Sequence, residues 1–391
     1  MKQFDVAVVG MGALGSAAAY HLARRGVSVV AFEQFELGHV RGASHDTSRI
    51  IRTSYGAPQY VRLAQSSYRD WAELEATTGE QLTVITGGLV FIPIGGPFSA
   101  RDFVDSLNEV GIPHELLSPA QVHERWPQFS LPDGVETIYT PDSGITHAAR
   151  SVAALQMHAR MNGAVIRDRT PVLSLDPDSD GVVVRSDKGD IHAGKVILAT
   201  DAWTNALLEP LGASIPLITM QEQVTYFKPQ DAGAYDRERF PVWIWEDTHC
   251  FYGFPTYGEP TIKAARDRSD NLMTPEERTF VPSPELLQQL EEFMNATIPG
   301  SGEPLRTVTC QYAITPDRNF VLGPLPEHPD ILVGLGAGHA FKFTPTIGRI
   351  LAELAVDGET SDDISTFSVQ AAVHPTGGVD SRPVIVEQSL S

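Results

Sequence analysis

The chain has 391 residues, 42% of them hydrophobic and 20% charged, with a net charge of −20. That length and composition fit a globular protein of two or so domains, and the acidic balance disfavours nucleic acid and anionic membrane as partners. No apolar run approaches the ~18 residues of a membrane span, and two cysteines make no disulfide framework. A cytoplasmic setting is therefore expected. A strand begins by Phe4, which leaves no room for a signal peptide, and the closing Ser-Leu-Ser is not a peroxisomal ending.

The first forty residues read as strand, glycine turn, helix, strand and acid. Phe4 to Val9 is an apolar run, Gly10-Met11-Gly12-Ala13-Leu14-Gly15 follows, a helical pattern runs to Arg25, and Val27 to Phe32 leads to Glu33. Gly10 permits the tight turn, Gly12 lets backbone approach a pyrophosphate, and Gly15 allows close helix–strand packing. N–H groups at the helix start favour an anion. Glu33 is placed to accept from ribose hydroxyls, which favours FAD or NAD over NADP.

Residues 39–56 are polar and carry Arg49 and Arg52, three apart, so on a helical turn they would share one face. Such a pair can hold a carboxylate in a fork; a surface salt bridge is the plainer reading. His45 in the same stretch reads as a cofactor neighbour or a structural histidine. Helices are expected at 58–77, 99–111, 118–126, 146–163, 283–294 and 345–354. Residues 83–94 look like a strand pair turning at Gly87-Gly88. Short strands follow between 165 and 199, and the pattern turns β-rich from 216 to 265.

Lys263, after the alternating Thr261-Ile262, reads as a surface lysine or one pointing inward. Cys310, on a strand, reads as a buried apolar residue. Gly336 and Gly338 form a second glycine turn whose N–H groups can stabilise negative charge on a reduced ring. Lys342, between Phe341 and Phe343, needs a partner, either a ligand carboxylate or a protein acid. Residues from about 371 show no periodicity and read as a tail. The expected architecture is α/β: a Rossmann-type FAD-binding domain from 1–82, 147–215 and 310–370, with an inserted antiparallel-sheet α+β substrate domain from 83–146 and 216–309. No metal site is expected.

These motifs resemble the monomeric sarcosine oxidase and N-methyltryptophan oxidase family, which includes fructosyl amino acid oxidases. The resemblance covers roughly residues 4 to 368. Beyond the opening glycines and Glu33, it rests on Ser44-His45 through Arg52, Phe251 to Pro255, Ile262-Lys263, Cys310-Gln311-Tyr312, Pro316 to Phe320 and Gly338 to Phe343. It implies FAD attached through Cys310, and a substrate carboxylate bound by Arg52 and Lys342. It further implies Arg49 near the flavin and Lys263 promoting reaction with O2, where a cation stabilises developing negative charge. Tyr252, Tyr312 and His45 match pocket residues, and Gly336, Gly338 and His339 match the cofactor-binding turn. The implied partners are a small amine and O2, and the implied state is a monomer.

Three departures stand out. Asp267 replaces a histidine, and in the fructosyl-amine branch an acid there contacts sugar hydroxyls. Trp243 and Trp245 replace smaller residues, with Trp245 expected to reshape the pocket. Asp201 replaces a glycine. The expected activity is FAD-dependent oxidation of a secondary amine bearing a carboxylate, such as sarcosine, to an imine that hydrolyses, with O2 reduced to H2O2. A deglycating or cyclic imino acid oxidase and a flavin amine dehydrogenase with another acceptor remain as alternatives.

Overall fold

The computed structural model describes residues 1–373. It divides into two compact units. The first comprises Met1–Ser44, Val152–Thr219 and the described residues from Tyr312 onward; the second comprises His45–Ser151 and Met220–Gln311.

The first unit is built on an eight-stranded sheet. Its parallel part places Val165–Arg167, Val29–Phe32, Lys2–Val9, Ile191–Leu198 and Ile331–Leu335 side by side. Antiparallel strands Val172–Asp178, Gly181–Ser186 and Val321–Pro324 complete it. The inner strands are continuous apolar runs because both faces are covered. Helix Ala13–Arg24 packs closely on helix Thr344–Val356, since a Cβ at Gly348 would lie 2.3 Å from the Ala17 Cβ.

The second unit holds an eight-stranded sheet in the order Glu303–Ile314, Ile218–Lys228, Ile262–Asp267, Cys250–Phe254, Val242–Trp245, Gly88–Pro93, Val135–Thr140, Glu115–Leu117. It also holds a three-stranded sheet of Ser48–Ile51, Gly144–His147 and Thr83–Ile85. The aromatic core of the large sheet includes Phe91, Phe129, Phe240 and Trp243, against Leu290 and Met294 of helix Pro284–Thr297.

The α/β class agrees with expectation, and the six helices lie where the periodicity puts them, within a few residues; the inserted sheet is mostly antiparallel, but Val242–Trp245 runs parallel to Gly88–Pro93. Three local readings change. Residues 83–94 are not a hairpin: Thr83–Ile85 pairs with Gly144–His147, while Gly88–Pro93 pairs with Val135–Thr140 in the other sheet. Segment 45–82, assigned above to the nucleotide domain, lies in the second unit because Ser48–Ile51 pairs with Gly144–His147. Val369–Val373 is a short helix, and the rest of the expected tail lies outside the described residues.

Candidate functional site

In the first unit, the opening turn has a backbone cradle that side chains would fill. A Cβ at Gly10, φ +91°, would lie 2.4 Å from the Ala199 carbonyl oxygen. One at Gly15 would lie 1.8 Å from the Gly10 carbonyl oxygen, and one at Gly12 3.1 Å from Ser44 Oγ. The helix start has no acid in its first turn and no side-chain cap from Gly12; Ser44 Oγ instead accepts from Ala13 N–H at 2.9 Å. Glu33 is buried at the end of its strand. One carboxylate oxygen accepts from Met11 N–H and the other from Phe35 N–H, each at 3.0 Å, and His39 lies at 3.4 Å. Burial alone would raise its pKa, but His39 and the two N–H donors outweigh it and hold the carboxyl below its ordinary value. The oxygen that takes Met11 N–H keeps a further lone pair for a ribose hydroxyl. These residues fit the adenosine diphosphate half of FAD.

The second glycine turn has the same character. Ala337 (φ +45°) and Gly338 (φ +78°) are successive left-handed residues, which turn consecutive N–H groups to one side. The Tyr312 ring lies against Gly338, where a Cβ would meet it at 2.9 Å. His339 Nε2 donates to the Arg318 carbonyl at 2.9 Å, and its ring packs on Phe320. Lys342 is buried and donates to the His339 carbonyl at 2.9 Å.

Asp201 lies two residues past Ala199, the residue against Gly10. It takes φ +50°, and its Oδ2 is buried without a protein hydrogen bond among the described residues. Burial pushes its pKa up to about 7.

In the second unit, one sheet face gathers several expected residues. Register pairs Phe254 with Lys263, Tyr252 with Ala265 and Cys250 with Asp267, so these six share a face. Ile244 pairs with Tyr252 and joins them. Lys263 is 3% exposed. Its ammonium donates to Asp46 Oδ2 at 3.0 Å and to the Ser48 carbonyl at 2.9 Å, and lies 4.5 Å from the centre of the Phe254 ring. It points inward, not to solvent. Cys310 is a buried thiol that burial pushes up to about 12, with Arg49 pulling the other way.

Two expectations are corrected by strand geometry. Ser48–Ile51 is extended, so residues three apart lie on opposite faces, and Arg49 and Arg52 do not share one. Arg49 donates to the His45 and Ser48 carbonyls at 2.8 and 2.9 Å. Arg52 instead donates to the Ser54 carbonyl at 2.6 Å, lies over the Tyr55 ring, and pairs with Glu246 at 3.5 Å. Trp245 lies on the face of Trp243, packed among Phe91 and Phe293, and is part of the aromatic core.

The residue after it turns the other way: Glu246 takes Cys250 Sγ–H at 3.5 Å and Arg52 on the opposite oxygen. Glu246, Asp46 and Tyr226 are site residues that sequence reasoning missed. A signal for Asp46 existed: it is the single acid in 39–56, and a lysine on an apolar strand needs a counter-charge. His45 is buried beside this cluster. Among the described residues, no group of three or more His, Cys, Asp or Glu is placed to hold a metal, and no helix is long and apolar enough to cross a membrane.

A family model described as FAD dependent oxidoreductase matches residues 5–354. The monomeric sarcosine oxidase of Bacillus sp. (strain NS-129) is 33% identical over 372 residues, 94% of this chain and 96% of its own. That of Streptomyces avermitilis is 35% identical, covering 93% of this chain and 96% of its own. The open form of NikD, an unusual amino acid oxidase essential for nikkomycin biosynthesis, superposes with a TM-score of 0.82 at 29% identity, over 94% of this chain and 98% of its own. The expected kinship with sarcosine oxidases is thus borne out.

Proposed function

The chain belongs to the FAD dependent oxidoreductase family, and from that premise we propose that it oxidises a secondary amine bearing a carboxylate, an N-alkyl α-amino acid, with O2 as acceptor and H2O2 as product. The carrying observation is the sheet face that unites buried Lys263 with Tyr252 and Asp267, in a chain similar throughout its length to sarcosine oxidases. When bound, FAD supplies the two-electron acceptor for the C–H bond beside nitrogen and returns those electrons to O2. The residues of the chain bind and orient. The glycine cradle and Glu33 hold the adenosine diphosphate half; the N–H groups of Gly336 to Gly338 and the ring of His339 shape the second turn. Arg52 and Lys342 take the substrate carboxylate, and Tyr252 and Tyr312 line the pocket with His45 and Arg49 beside the cofactor. Lys263 supplies positive charge where oxygen acquires electrons. Cys310 would hold the cofactor covalently through its sulfur. The protein acts as a cytoplasmic monomer.

Glu246 favours a second reading. With Asp267 it puts two carboxylates on one sheet face, flanking Cys250, which suits hydroxyl or amine groups on a larger, deglycating substrate. A peroxide-coupled screen of sarcosine, N-methyl amino acids, proline, pipecolate and fructosyl-glycine separates the two: turnover of fructosyl-glycine without sarcosine selects the second. Bleaching of the yellow chromophore by an amine without O2 uptake would select a dehydrogenase and reject the oxidase. Acid precipitation is expected to leave the colour with the protein, and Cys310→Ala to release it.

A further inference from the structure

The ammonium of Lys263 is held by a carboxylate in an unusual backbone conformation. Asp46 takes φ +79°, a left-handed value uncommon outside glycine. That turn aims its carboxylate inward, with its side chain 10% exposed, and both oxygens are used. Oδ2 accepts from Lys263 Nζ at 3.0 Å, and Oδ1 from the Tyr226 hydroxyl at 2.5 Å. Tyr226 is fixed in turn: Thr47 Oγ1 is 3.0 Å from its oxygen and Arg306 stacks over its ring at 3.8 Å, paired with Glu259. A strained residue with every oxygen engaged marks a position the surrounding structure enforces.

We infer that Asp46 is the positioning residue for Lys263: braced by Tyr226, it anchors the Lys263 ammonium and keeps it charged inside the sheet face. The inference rests on the proposed oxidase reading for its consequence, but not for its geometry. Burial lowers the pKa of Lys263, Asp46 opposes that, Arg49 adds to it, and the balance falls at about 8. Asp46 itself is driven well below the carboxylate range by Lys263, the Tyr226 hydroxyl and Arg49, against its burial. The other charged or titratable groups facing the pair are His147 on the adjacent strand, Cys310, Arg306 and Glu259. Without Asp46, the remaining strong influences on Lys263, burial and Arg49, both favour the neutral amine.

The test uses the FAD-loaded protein and two variants, Asp46→Asn and Asp46→Gly. Both residues accept positive φ, so the backbone turn is kept while the charge is lost. The first readout is the titration of the Lys263 side-chain nitrogen by ¹⁵N NMR, assigned with Lys263→Met. The midpoint is expected to fall by at least about one pH unit in both variants. The second is stopped-flow reoxidation of the reduced protein by O2 from pH 6 to 9.5. The wild-type rate constant should decline above about pH 8, and that of the variants at lower pH, leaving them at least about 3-fold slower at pH 7.5. An unchanged nitrogen midpoint in both variants overturns the inference. If the midpoint falls but Lys263→Met reoxidises at the wild-type rate, the anchoring role of Asp46 stands and the oxygen role of Lys263 fails. Anaerobic reduction by amine, measured separately, tests the substrate reading alone.

Discussion

Asp201 shows how one residue can set a pH dependence. Its conformation is left-handed and its Oδ2 is buried without a protein hydrogen bond among the described residues. Burial raises its pKa to about 7 in the folded protein, against an ordinary value of 3.8. The folded state therefore binds this proton more tightly than the unfolded state, and stability falls as pH rises from about 4 to about 7. Asp201→Asn removes that slope; Asp201→Gly removes it and relieves the backbone, worth about 1 kcal/mol more. Melting of the FAD-loaded protein should show both variants gaining on the wild type by about 2 to 4 kcal/mol at pH 8, and much less at pH 5. A gain equal at both pH values would refute the buried carboxyl. The sequence marked Asp201 as a substitution for glycine but offered no role, because burial of one oxygen depends on neighbours far along the chain. Lys263 is the same case: its strand was legible, but whether it faced solvent was settled by an acid 217 residues away.

Alternation along strands decides which neighbours reach the site. In Val242–Trp245 the tryptophans go to the core and Ile244 to the other face, so Glu246 arrives beside Arg52. The amino-acid pattern alone did not say which face was which, since Val, Trp and Ile are all apolar. The helices were legible because their periodicity and caps are local: Gly79 and Gly111 end two of them in left-handed conformations. The 48–51 segment was not, because four residues carry too little periodicity and pairing with Gly144–His147 fixed it as a strand. On the proposed reading, Glu246, which pairs with Arg52, competes with the substrate carboxylate for it. Glu246→Gln should lower KM for a carboxylate substrate by about 3- to 10-fold with little change in kcat, as read by steady-state kinetics. A rise in KM would instead mean that Glu246 contacts the substrate.

Each unit is assembled from separated stretches of chain. The sheet of the first unit needs Ile331–Leu335, whose five residues are all buried, and its first helix needs Thr344–Val356 as cover. A fragment ending at Gln311 lacks both. It should bind hydrophobic dyes, aggregate on size exclusion and retain no FAD; a soluble fragment with native near-ultraviolet dichroism would contradict this dependence.

The same discontinuity has a consequence in time. The glycine turn leaves the ribosome some 190 residues before the Ala199 carbonyl against Gly10, and more than 300 before the helix over Ala17. At about 5–20 residues per second, helix Ala13–Arg24 waits about 15–65 s for its cover. For about the first half of that interval the apolar strands Lys2–Val9 and Val29–Phe32 lack their later parallel neighbours Ile191–Leu198 and Val165–Arg167, and that pairing is non-local and slow. A complete cradle for the cofactor therefore waits on the later chain, although its glycine motif is made long before.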